Sequence, residues 1–310
     1  MKKYAAVFPG QGSQSVGMFA DFMDNEIVAK TYAEANEALG YDLKNITLNG
    51  PEAELNKTEV TQPAILTASV AAFRVLMSKA EKPAALAGHS LGEYSALVAA
   101  GAIDFKDAVK LVRLRGQAMQ EAVPAGVGAM AAILGLEDQV IIDTCKKVSD
   151  DKFKVWAANF NTSGQVVISG NKEAVDRACA EFTTLGAKRV VPLAVSAPSH
   201  CPLMQPAADR LEAALKEINV KDAQIPVYAN AYAKPVVKAS DIIDALVKQL
   251  TQPVRWVETV QALKAEGVET LVEVGPNKVL SGLARRIDRA LGTANVCNEA
   301  TLAKALEELA

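Results

Sequence analysis

The sequence predicts an α/β protein in which a small unit is inserted into a large domain. Two observations lead to this prediction. Short apolar runs near both ends of the chain are each followed by a helical stretch, as in α/β folds. Between them, over residues 126–196, the pattern changes to strand, helix, strand, strand, helix, strand. We therefore expect residues 1–125 and 197–310 to form one discontinuous domain around the insert.

The first part of the large domain contains two predicted strands. Lys3–Phe8 is a short, mostly apolar stretch that stops at Pro9-Gly10, and Ala84–Ala87 is an apolar run that leads into a glycine-flanked turn. A helix over Glu93–Ala100 follows the second strand and is closed by Gly101. Strands that alternate with helices in this way are expected to pair in a parallel sheet at the core of the domain.

The insert has the element order of the ferredoxin-like fold, so we expect a ferredoxin-like unit. A turn at Ser163-Gly164 separates its two central strands. Its predicted elements are strand Ala129–Leu134, helix Glu137–Ser149, strand Val155–Asn159, strand Gln165–Ser169, helix Lys172–Leu185 and strand Lys188–Ala194.

After the insert, the pattern of the large domain returns. A cleft between the two parts is the natural place for a ligand. The predicted elements here are helix Leu203–Ile218, strand Pro226–Ala229, helix Ile242–Gln249, helix Val257–Glu266, strand Thr270–Val274 and helix Lys278–Ala290.

Composition and charge exclude several classes of protein. The chain carries 33 Lys and Arg against 36 Asp and Glu, a net charge of −3, so we expect no nucleic-acid partner. Half of the residues are apolar and 22% are charged, which excludes a mainly disordered chain. The longest stretch without a formal charge, Val190–Ala208, contains four prolines, so we expect no membrane span there. The apolar run after Met1-Lys2-Lys3 is too short for a secretion signal, and we expect a cytoplasmic monomer.

The cysteines match neither a metal site nor a disulfide framework in their spacing. We therefore expect no metal and four small buried side chains, which are Cys145, Cys179, Cys201 and Cys297.

A serine stands on a predicted strand-to-helix turn. Gly88-His89-Ser90-Leu91-Gly92 has the Gly-x-Ser-x-Gly spacing of the nucleophile turn of α/β hydrolases. The glycines let the chain fold back around a strained serine, whose hydroxyl then lies at the positive end of a helix. We therefore expect Ser90 to be a nucleophile on an α/β-hydrolase-like domain; a tight turn that needs small residues is the alternative.

The base for this serine must be one of two histidines, His89 and His200. The His89 side chain is expected to point away from the hydroxyl, which leaves His200, in the constrained loop from Ser196 to Pro202. A merely solvated loop histidine is the alternative. No acidic residue stands out as its partner, so we expect a backbone carbonyl or a side-chain amide to orient the ring. This departure from the hydrolase arrangement argues against an ordinary esterase.

An arginine, Arg115, lies on the apolar stripe of the helix that follows Asp104. The other members of the stripe are Ala108, Leu111, Val112, Ala118 and Met119. Burial of a guanidinium without an anion is costly, so Arg115 reaches solvent, pairs with an unidentified acid, or binds a ligand anion. Its planar fork suits a carboxylate.

The loop over Phe8–Gln14 resembles the start of a dinucleotide fingerprint, but the third glycine and the later acidic residue are absent. It also lacks the Gly-Lys-Ser/Thr of a phosphate-binding Walker loop. The loop either supplies a backbone N–H to an oxyanion or is a plain turn.

A family resemblance is carried by these motifs together with several others. In chain order they are Phe8–Gln14, Thr61–Ala64, Gly88–Glu93, Arg115-Gly116 with Met119-Gln120, Asn159–Asn161 before Gly164-Gln165, Pro198–His200, Gln249 with Pro253-Val254, and Glu273–Pro276. In this combination and order, the sequence resembles the malonyl-CoA:acyl carrier protein transacylases of fatty acid synthesis over nearly its whole length.

The resemblance implies roles for the central residues. It makes Ser90 the nucleophile, His200 the base, and Arg115 the group that holds the free malonyl carboxylate. The backbone carbonyl of Gln249 orients His200 in this assignment.

The resemblance also implies an oxyanion hole made by the backbone N–H groups of Gln11 and Leu91, and a cleft lined by Gln62 and Asn159. A malonyl-serine forms from malonyl-CoA and passes to the phosphopantetheine thiol of an acyl carrier protein, with no metal or redox cofactor. Acceptance of methylmalonyl groups, and service in polyketide rather than fatty acid synthesis, stay open.

An acidic carrier protein implies a basic docking face. Arg285, Arg286 and Arg289 on the last predicted helix are the candidates, with an ordinary solvated face as the alternative.

Two other functions are also compatible with the sequence. One is a serine hydrolase such as a thioesterase, and the other is a non-catalytic docking or structural protein.

Overall fold

The computed structural model describes residues 2–195 and 197–310 of the chain. Met1, where the predicted large domain begins, and Ser196, where the predicted insert ends, lie outside the described residues. The protein is a mixed α/β structure with one sheet of six strands and a separate sheet of four, within the part of the chain that is described.

The strands are β1 (Tyr4–Phe8), β2 (Ala85–Gly88), β3 (Gly128–Leu134), β4 (Val155–Thr162), β5 (Gln165–Asn171), β6 (Arg189–Pro192), β7 (Val227–Ala229), β8 (Lys234–Val236), β9 (Thr270–Val274) and β10 (Gly292–Val296). The α-helices are α1 (Glu26–Leu39), α2 (Leu43–Asn49), α3 (Glu52–Leu55), α4 (Thr58–Met77), α5 (Gly92–Ala99), α6 (Phe105–Glu121), α7 (Asp138–Val148), α8 (Lys172–Thr184), α9 (Gln205–Lys216), α10 (Ala239–Thr251), α11 (Trp256–Ala265), α12 (Val279–Ile287) and α13 (Glu299–Leu309).

The large sheet has the strand order β10-β9-β1-β2-β7-β8 and is parallel except for β8. Its central strand, β1, is buried along all five residues, as expected for a parallel strand covered on both faces. Phe8 pairs with Gly88, so β1 and β2 end side by side. The loops after these two strands therefore meet at the carboxyl edge of the sheet, where open α/β sheets bind ligands.

The small sheet has the order β4-β5-β3-β6, and all of its pairs are antiparallel. Helices α7 and α8 cover one face and enclose a separate apolar core around Ile133, Ile168 and Phe182. The backbone of β4 is bonded to the large part of the molecule, because Val254 N donates to Ala158 O at 2.8 Å and Phe160 N donates to Val254 O at 2.9 Å. The wall that carries β4 is thereby held against the large sheet.

Helix α6 forms where the apolar stripe predicts a helix. The side chain of Asp104 caps it by accepting a hydrogen bond from Lys106 N at 2.9 Å. All five apolar members of the stripe are buried, and Arg115 is buried with them at 1% exposure. The helix thus carries a cation into the interior.

Helix α4 is the longest helix among the described residues and is rich in apolar side chains. Among the described residues, it alone is long and apolar enough to cross a membrane, yet 89% of its most apolar window is buried inside the fold. It packs against α1, α5 and α6 as a helix of the protein core.

The cysteines are all free, and the expectation that all four are buried is wrong for two of them. Cys145 and Cys201 are buried, whereas Cys179 and Cys297 are partly exposed. The described residues include no group of three or more His, Cys, Asp or Glu side chains that could hold a metal ion.

Candidate active site

The serine turn connects β2 to α5. Ser90 has a φ of 53°, in the left-handed region that strains residues other than glycine. A Cβ added to Gly92 would lie 2.0 Å from Phe8 O, and one added to Gly88 would lie 1.9 Å from the carbonyl carbon of Gly92. Both glycines are therefore required by close backbone approach, and the strained turn predicted from the spacing is present.

Ser90 and His200 are in direct contact, with Oγ and Nε2 2.7 Å apart. The other ring nitrogen, Nδ1, lies 2.8 Å from the backbone oxygen of Gln249. That oxygen is free because the residue four positions later is Pro253, which has no N–H with which to continue the helix. A carbonyl can only accept, so the Nδ1 proton points at Gln249 and the Nε2 lone pair faces Ser90.

His200 is 3% exposed and has a φ of 60°. Burial, aided by the positive charge of Arg115, lowers the pKa of His200 to about 3, although the hydrogen bond to Gln249 acts in the opposite direction. The ring is therefore neutral near pH 7 and is able to accept a proton from the Ser90 hydroxyl.

Arg115 reaches the same place from α6. Its Nη1 donates to Gln62 Oε1 at 2.8 Å, its Nη2 donates to Gln249 Oε1 at 3.0 Å, and Nη2 also lies 3.4 Å from Ser90 Oγ. The guanidinium carbon lies 5.3 Å from the centre of the Tyr94 ring, and burial lowers the pKa of the arginine. These partners are neutral and the side chain is buried, so Arg115 neither reaches solvent nor pairs directly with an acid. A ligand anion is the remaining alternative.

The nucleophile faces a cleft of about 450 Å³ between the two sheets. From the large part, it is lined by groups that include Ser90, Arg115 and His200; from the small part, by Met130, Asn159, Asn161, Gln165 and Val167. Asn159 thus lies on the cleft wall, as the resemblance implies. Gln62 does not, because it is completely buried behind Arg115 and holds that side chain.

The two backbone N–H groups assigned to an oxyanion hole both lie beside the cleft. Gln11 lies in the loop after β1, and Leu91 is the N-cap residue of α5. Neither N–H has an acceptor among residues 2–195 and 197–310. At the start of a helix, where Leu91 lies, such donors are unpaired and carry partial positive charge. Gln11 lies in a loop instead, and its unpaired N–H is likewise available to an anion.

His89 points away from the serine hydroxyl, as expected. Its Nε2 lies 2.7 Å from Asn161 Oδ1 on β4, and its ring packs 5.6 Å from that of Trp256. Burial lowers the pKa of His89, so the ring is neutral. The bond to Asn161 ties the serine turn to the small sheet.

Sequence reasoning missed two buried polar residues beneath the turn. Asn230 Oδ1 accepts a hydrogen bond from Ser90 N at 2.7 Å, and its Nδ2 donates to Gly88 O at 2.6 Å. Glu93 accepts hydrogen bonds from Asn230 N at 3.0 Å and from Gln249 Nε2 at 2.8 Å. Glu93 belongs to the motif Gly88–Glu93, which was the one signal that pointed to it.

The three arginines chosen for carrier docking are exposed. Arg285 donates to Thr293 Oγ1 at 2.8 Å, and Arg286 donates to Gln165 Oε1 at 3.0 Å. The helix that was expected to reach Ala290 ends at Ile287, because Asp288 has an extended backbone with a φ of −148°. Arg289 therefore lies beyond the helix, and the prediction that it shares this helix with Arg285 and Arg286 is wrong.

A serine held against a neutral histidine, on a strand-to-helix turn beside free N–H groups, defines the class of enzymes that form an acyl-serine. Residues 6–306 match the family model described as the acyl transferase domain. A protein of Escherichia coli (strain K12) named malonyl CoA-acyl carrier protein transacylase is 55% identical over 310 residues, which are 99% of this chain and 100% of that protein. The chain belongs to the acyl transferase domain family, and the resemblance stated from its motifs is confirmed.

Solved structures agree with this assignment. The malonyl CoA-acyl carrier protein transacylase of Coxiella burnetii superposes with a TM-score of 0.97 at 46% identity, covering 99% of this chain and 98% of that one. A malonyl-transacylase solved in complex with its type II PKS acyl-carrier protein superposes with a TM-score of 0.96 at 53% identity, covering 98% of this chain and 99% of that one.

Proposed function

We propose that this protein transfers a malonyl group from malonyl-CoA, through a malonyl-serine, to the phosphopantetheine thiol of an acyl carrier protein, and so supplies fatty acid elongation. The observation that carries the proposal is the buried Arg115, which has only neutral partners and lies 3.4 Å from Ser90 Oγ. A dicarboxylic half-thioester places a free carboxylate a short distance from its reacting carbonyl, which fits this pair.

The first half-reaction begins at the Ser90–His200 contact. His200 Nε2 takes the hydroxyl proton as Oγ attacks the thioester carbonyl. The resulting oxyanion accepts hydrogen bonds from the N–H groups of Gln11 and Leu91. As the intermediate collapses, the C–S bond breaks, His200 returns the proton to sulfur, and coenzyme A leaves.

The second half-reaction runs the same steps with another thiol. His200 takes the proton of the phosphopantetheine thiol, whose sulfur attacks the malonyl-serine carbonyl. The Ser90 Oγ–carbon bond then breaks, and His200 returns the proton to Oγ. The Gln249 carbonyl holds the ring in one tautomer throughout, so no other proton carrier is needed.

Arg115 supplies selectivity in this proposal. Its guanidinium binds the malonyl carboxylate directly, whereas an acetyl group offers it no charged acceptor. Loss of such a buried charged contact costs about 2–5 kcal/mol, which favours malonyl-CoA over acetyl-CoA. Gln62 then acts by holding Arg115, and Asn159 by lining the cleft.

We further propose that residues 126–196 form a ferredoxin-like insert, which the element order and the strand order β4-β5-β3-β6 support. Residues 1–125 and 197–310 form an α/β-hydrolase-like domain, supported by the serine turn on a parallel sheet.

The acyl carrier protein is expected to be acidic and to dock on Arg285, Arg286 and Arg289. The protein is further proposed to be a cytoplasmic monomer that needs no metal or redox cofactor. Reversal of the three arginine charges should raise the KM for the carrier protein and leave the KM for malonyl-CoA unchanged. An unchanged carrier KM contradicts the docking site alone.

The central test is the mass of the intact protein after brief mixing with malonyl-CoA, followed by addition of a phosphopantetheinylated acyl carrier protein. We expect a malonyl adduct that is absent from Ser90→Ala and moves to the carrier. An adduct that decays equally fast without the carrier supports the hydrolase alternative. No adduct at all supports a non-catalytic protein.

A further inference from the structure

One buried acid has no part in the mechanism above. Glu93, three residues after the nucleophile, is 1% exposed. The other buried acid among the described residues is Glu273, which accepts hydrogen bonds from Leu280 N at 3.0 Å and Ser281 N at 2.8 Å and so caps α12. Glu93 caps no helix, and its burial calls for a different explanation.

The carboxylate of Glu93 is joined to Arg115 through a single amide. Arg115 Nη2 donates to Gln249 Oε1 at 3.0 Å, and Gln249 Nε2 donates to Glu93 Oε2 at 2.8 Å. Each of the three side chains is at most 1% exposed. Arg115 and Glu93 are thus both buried, but the Gln249 amide lies between their charges. The Nη2 side of the guanidinium stays open towards Ser90.

This separation has an electrostatic consequence. A buried guanidinium needs a negative charge nearby, and Glu93 supplies it while the cleft is empty. When a ligand carboxylate binds Arg115, two negative charges share one cation in a low dielectric, which favours protonation of one of them. The ligand carboxylate touches Arg115 directly, whereas Glu93 acts through an amide, so Glu93 is the weaker competitor.

We propose that Glu93 is the exchangeable counter-charge of the Arg115 clamp: it is ionised in the empty site and takes up one proton from solvent when a malonyl carboxylate binds. The proposal rests on the proposed function, because it takes Arg115 as the group that binds malonate. Glu93 touches neither substrate nor reacting atoms and is a positioning residue.

The surroundings of Glu93 suit a proton exchange near neutrality. Burial raises the pKa of Glu93 to about 7, although hydrogen bonds from Gln249 and Asn230 and the positive charge of Arg115 act to lower it. Among the described residues, two ionisable groups face Glu93: Arg115 from α6, and Tyr94 from the same helix as Glu93. Burial also raises the pKa of Tyr94. The strands β1, β2 and β7 and helix α4, which also pack against α5, add no charge to it.

The two histidines near Ser90, His89 and His200, do not compete with Glu93 for this proton. Burial lowers the pKa of His200 to about 3 and lowers the pKa of His89 from its ordinary value, which favours the neutral form of both rings. The affinity for malonyl-CoA should therefore fall about tenfold between about pH 6 and about pH 8, because an ionised Glu93 must be protonated before the ligand carboxylate is fully paired. The affinity for acetyl-CoA should lack this dependence.

Calorimetry in buffers of different ionisation enthalpy measures the proton directly. The Ser90→Ala protein is used so that no acyl transfer occurs, and acetyl-CoA is the matched ligand without a carboxylate. At about pH 8, where Glu93 is ionised in the empty site, binding of malonyl-CoA should take up about one proton more than binding of acetyl-CoA, and about half a proton more at about pH 7. Glu93→Gln in the same background keeps an oxygen that accepts both hydrogen bonds, and it should abolish the excess proton and the pH dependence.

The possible results are separable. A preference for malonyl-CoA without excess proton uptake overturns the role of Glu93 and leaves the proposed function standing. Excess uptake that persists in Glu93→Gln also overturns it. Equal affinity for malonyl-CoA and acetyl-CoA overturns the role of Arg115 in the proposed function, and this inference with it.

A second measurement needs no change at Glu93. Infrared difference spectra of the Ser90→Ala protein, with its glutamates labelled with ¹³C, should gain a protonated carboxyl band that carries the isotope shift when malonyl-CoA binds. Acetyl-CoA should produce no such band. A spectrum that lacks the band with malonyl-CoA bound contradicts the proposal even if the Glu93→Gln protein does not fold.

Discussion

The two parts of the molecule place polar groups in opposite ways. In the large part, Arg115, His200 and Gln249 are each at most 3% exposed and are held by hydrogen bonds to one another or to Ser90. In the small part, the cleft is lined by single side chains from an open antiparallel sheet whose edge strand, β6, is partly or fully exposed along its length. The polar groups of the site are thus fixed in the interior of one part, whereas the other part forms a wall of the cleft.

The largest effect on activity is expected when the base, His200, is removed. His200→Ala removes the proton acceptor of Ser90, so the rate of malonyl-serine formation should fall about 10³- to 10⁴-fold. Single-turnover mass spectrometry measures this rate. A loss smaller than about tenfold would mean that another group accepts the proton.

The second largest effect on activity is expected when the buried positive charge of Arg115 is removed. Arg115→Ala should lower kcat/KM for malonyl-CoA about 10²- to 10³-fold, because the malonyl carboxylate loses its direct partner. Arg113→Ala is the matched control on the same helix, since Arg113 packs on Tyr41 and donates to Leu39 O, away from the cleft. Equal losses in the two variants would point to a general weakening of α6.

A smaller effect is expected where the two parts meet. Asn161→Ala removes the acceptor of the His89 ring and should lower kcat/KM about tenfold, because one partly buried hydrogen bond is lost and no reacting group is removed. Asn171→Ala is the control: it removes a bond to Lys154 N in the same sheet, outside the cleft. A loss as large as that of Arg115→Ala would show that the small part takes part in the chemistry.

The smallest effect is on stability in acid. His200 is neutral when folded, with a pKa of about 3 against 6.5 for an unperturbed histidine. Below about pH 6.5 the unfolded chain therefore binds a proton that the folded chain does not, and stability falls by at most about 1.4 kcal/mol per pH unit. His200→Asn should reduce this fall, as measured by thermal unfolding between about pH 7 and about pH 5. An identical slope in both proteins would mean that His200 does not titrate as described.

The sequence predicts those elements whose apolar runs end at strong turn signals. The predicted bounds of β9 are the observed ones, Thr270–Val274, and β1 differs by one residue. Strands β8 and β10 were missed: β8 contains Pro235 and lies at a sheet edge, and β10 is mostly half-exposed and rich in small and polar residues. Neither shows the alternation or the apolar run on which a strand prediction depends.

The site residues also fall into two groups, those that a local sequence signal predicts and those that only the folded chain brings together. Ser90 follows from local spacing and Arg115 from helical periodicity, because both signals lie within one element. The contact between Glu93 and Asn230 joins residues 137 positions apart, and it forms only when α5 and the turn after β7 are packed together. Such a contact has no periodic signal, and only the folded structure reveals it.

The pairing of β1 with β9 sets an order of events during protein synthesis. The small sheet is complete once Pro192 has left the ribosome, whereas the central strand Tyr4–Phe8 lacks one of its neighbours until Thr270–Val274 has emerged. Domains fold as units while the chain is made, so the small sheet can form first. Nascent chains halted between these two points should therefore resist protease in the small sheet and be digested around the serine turn.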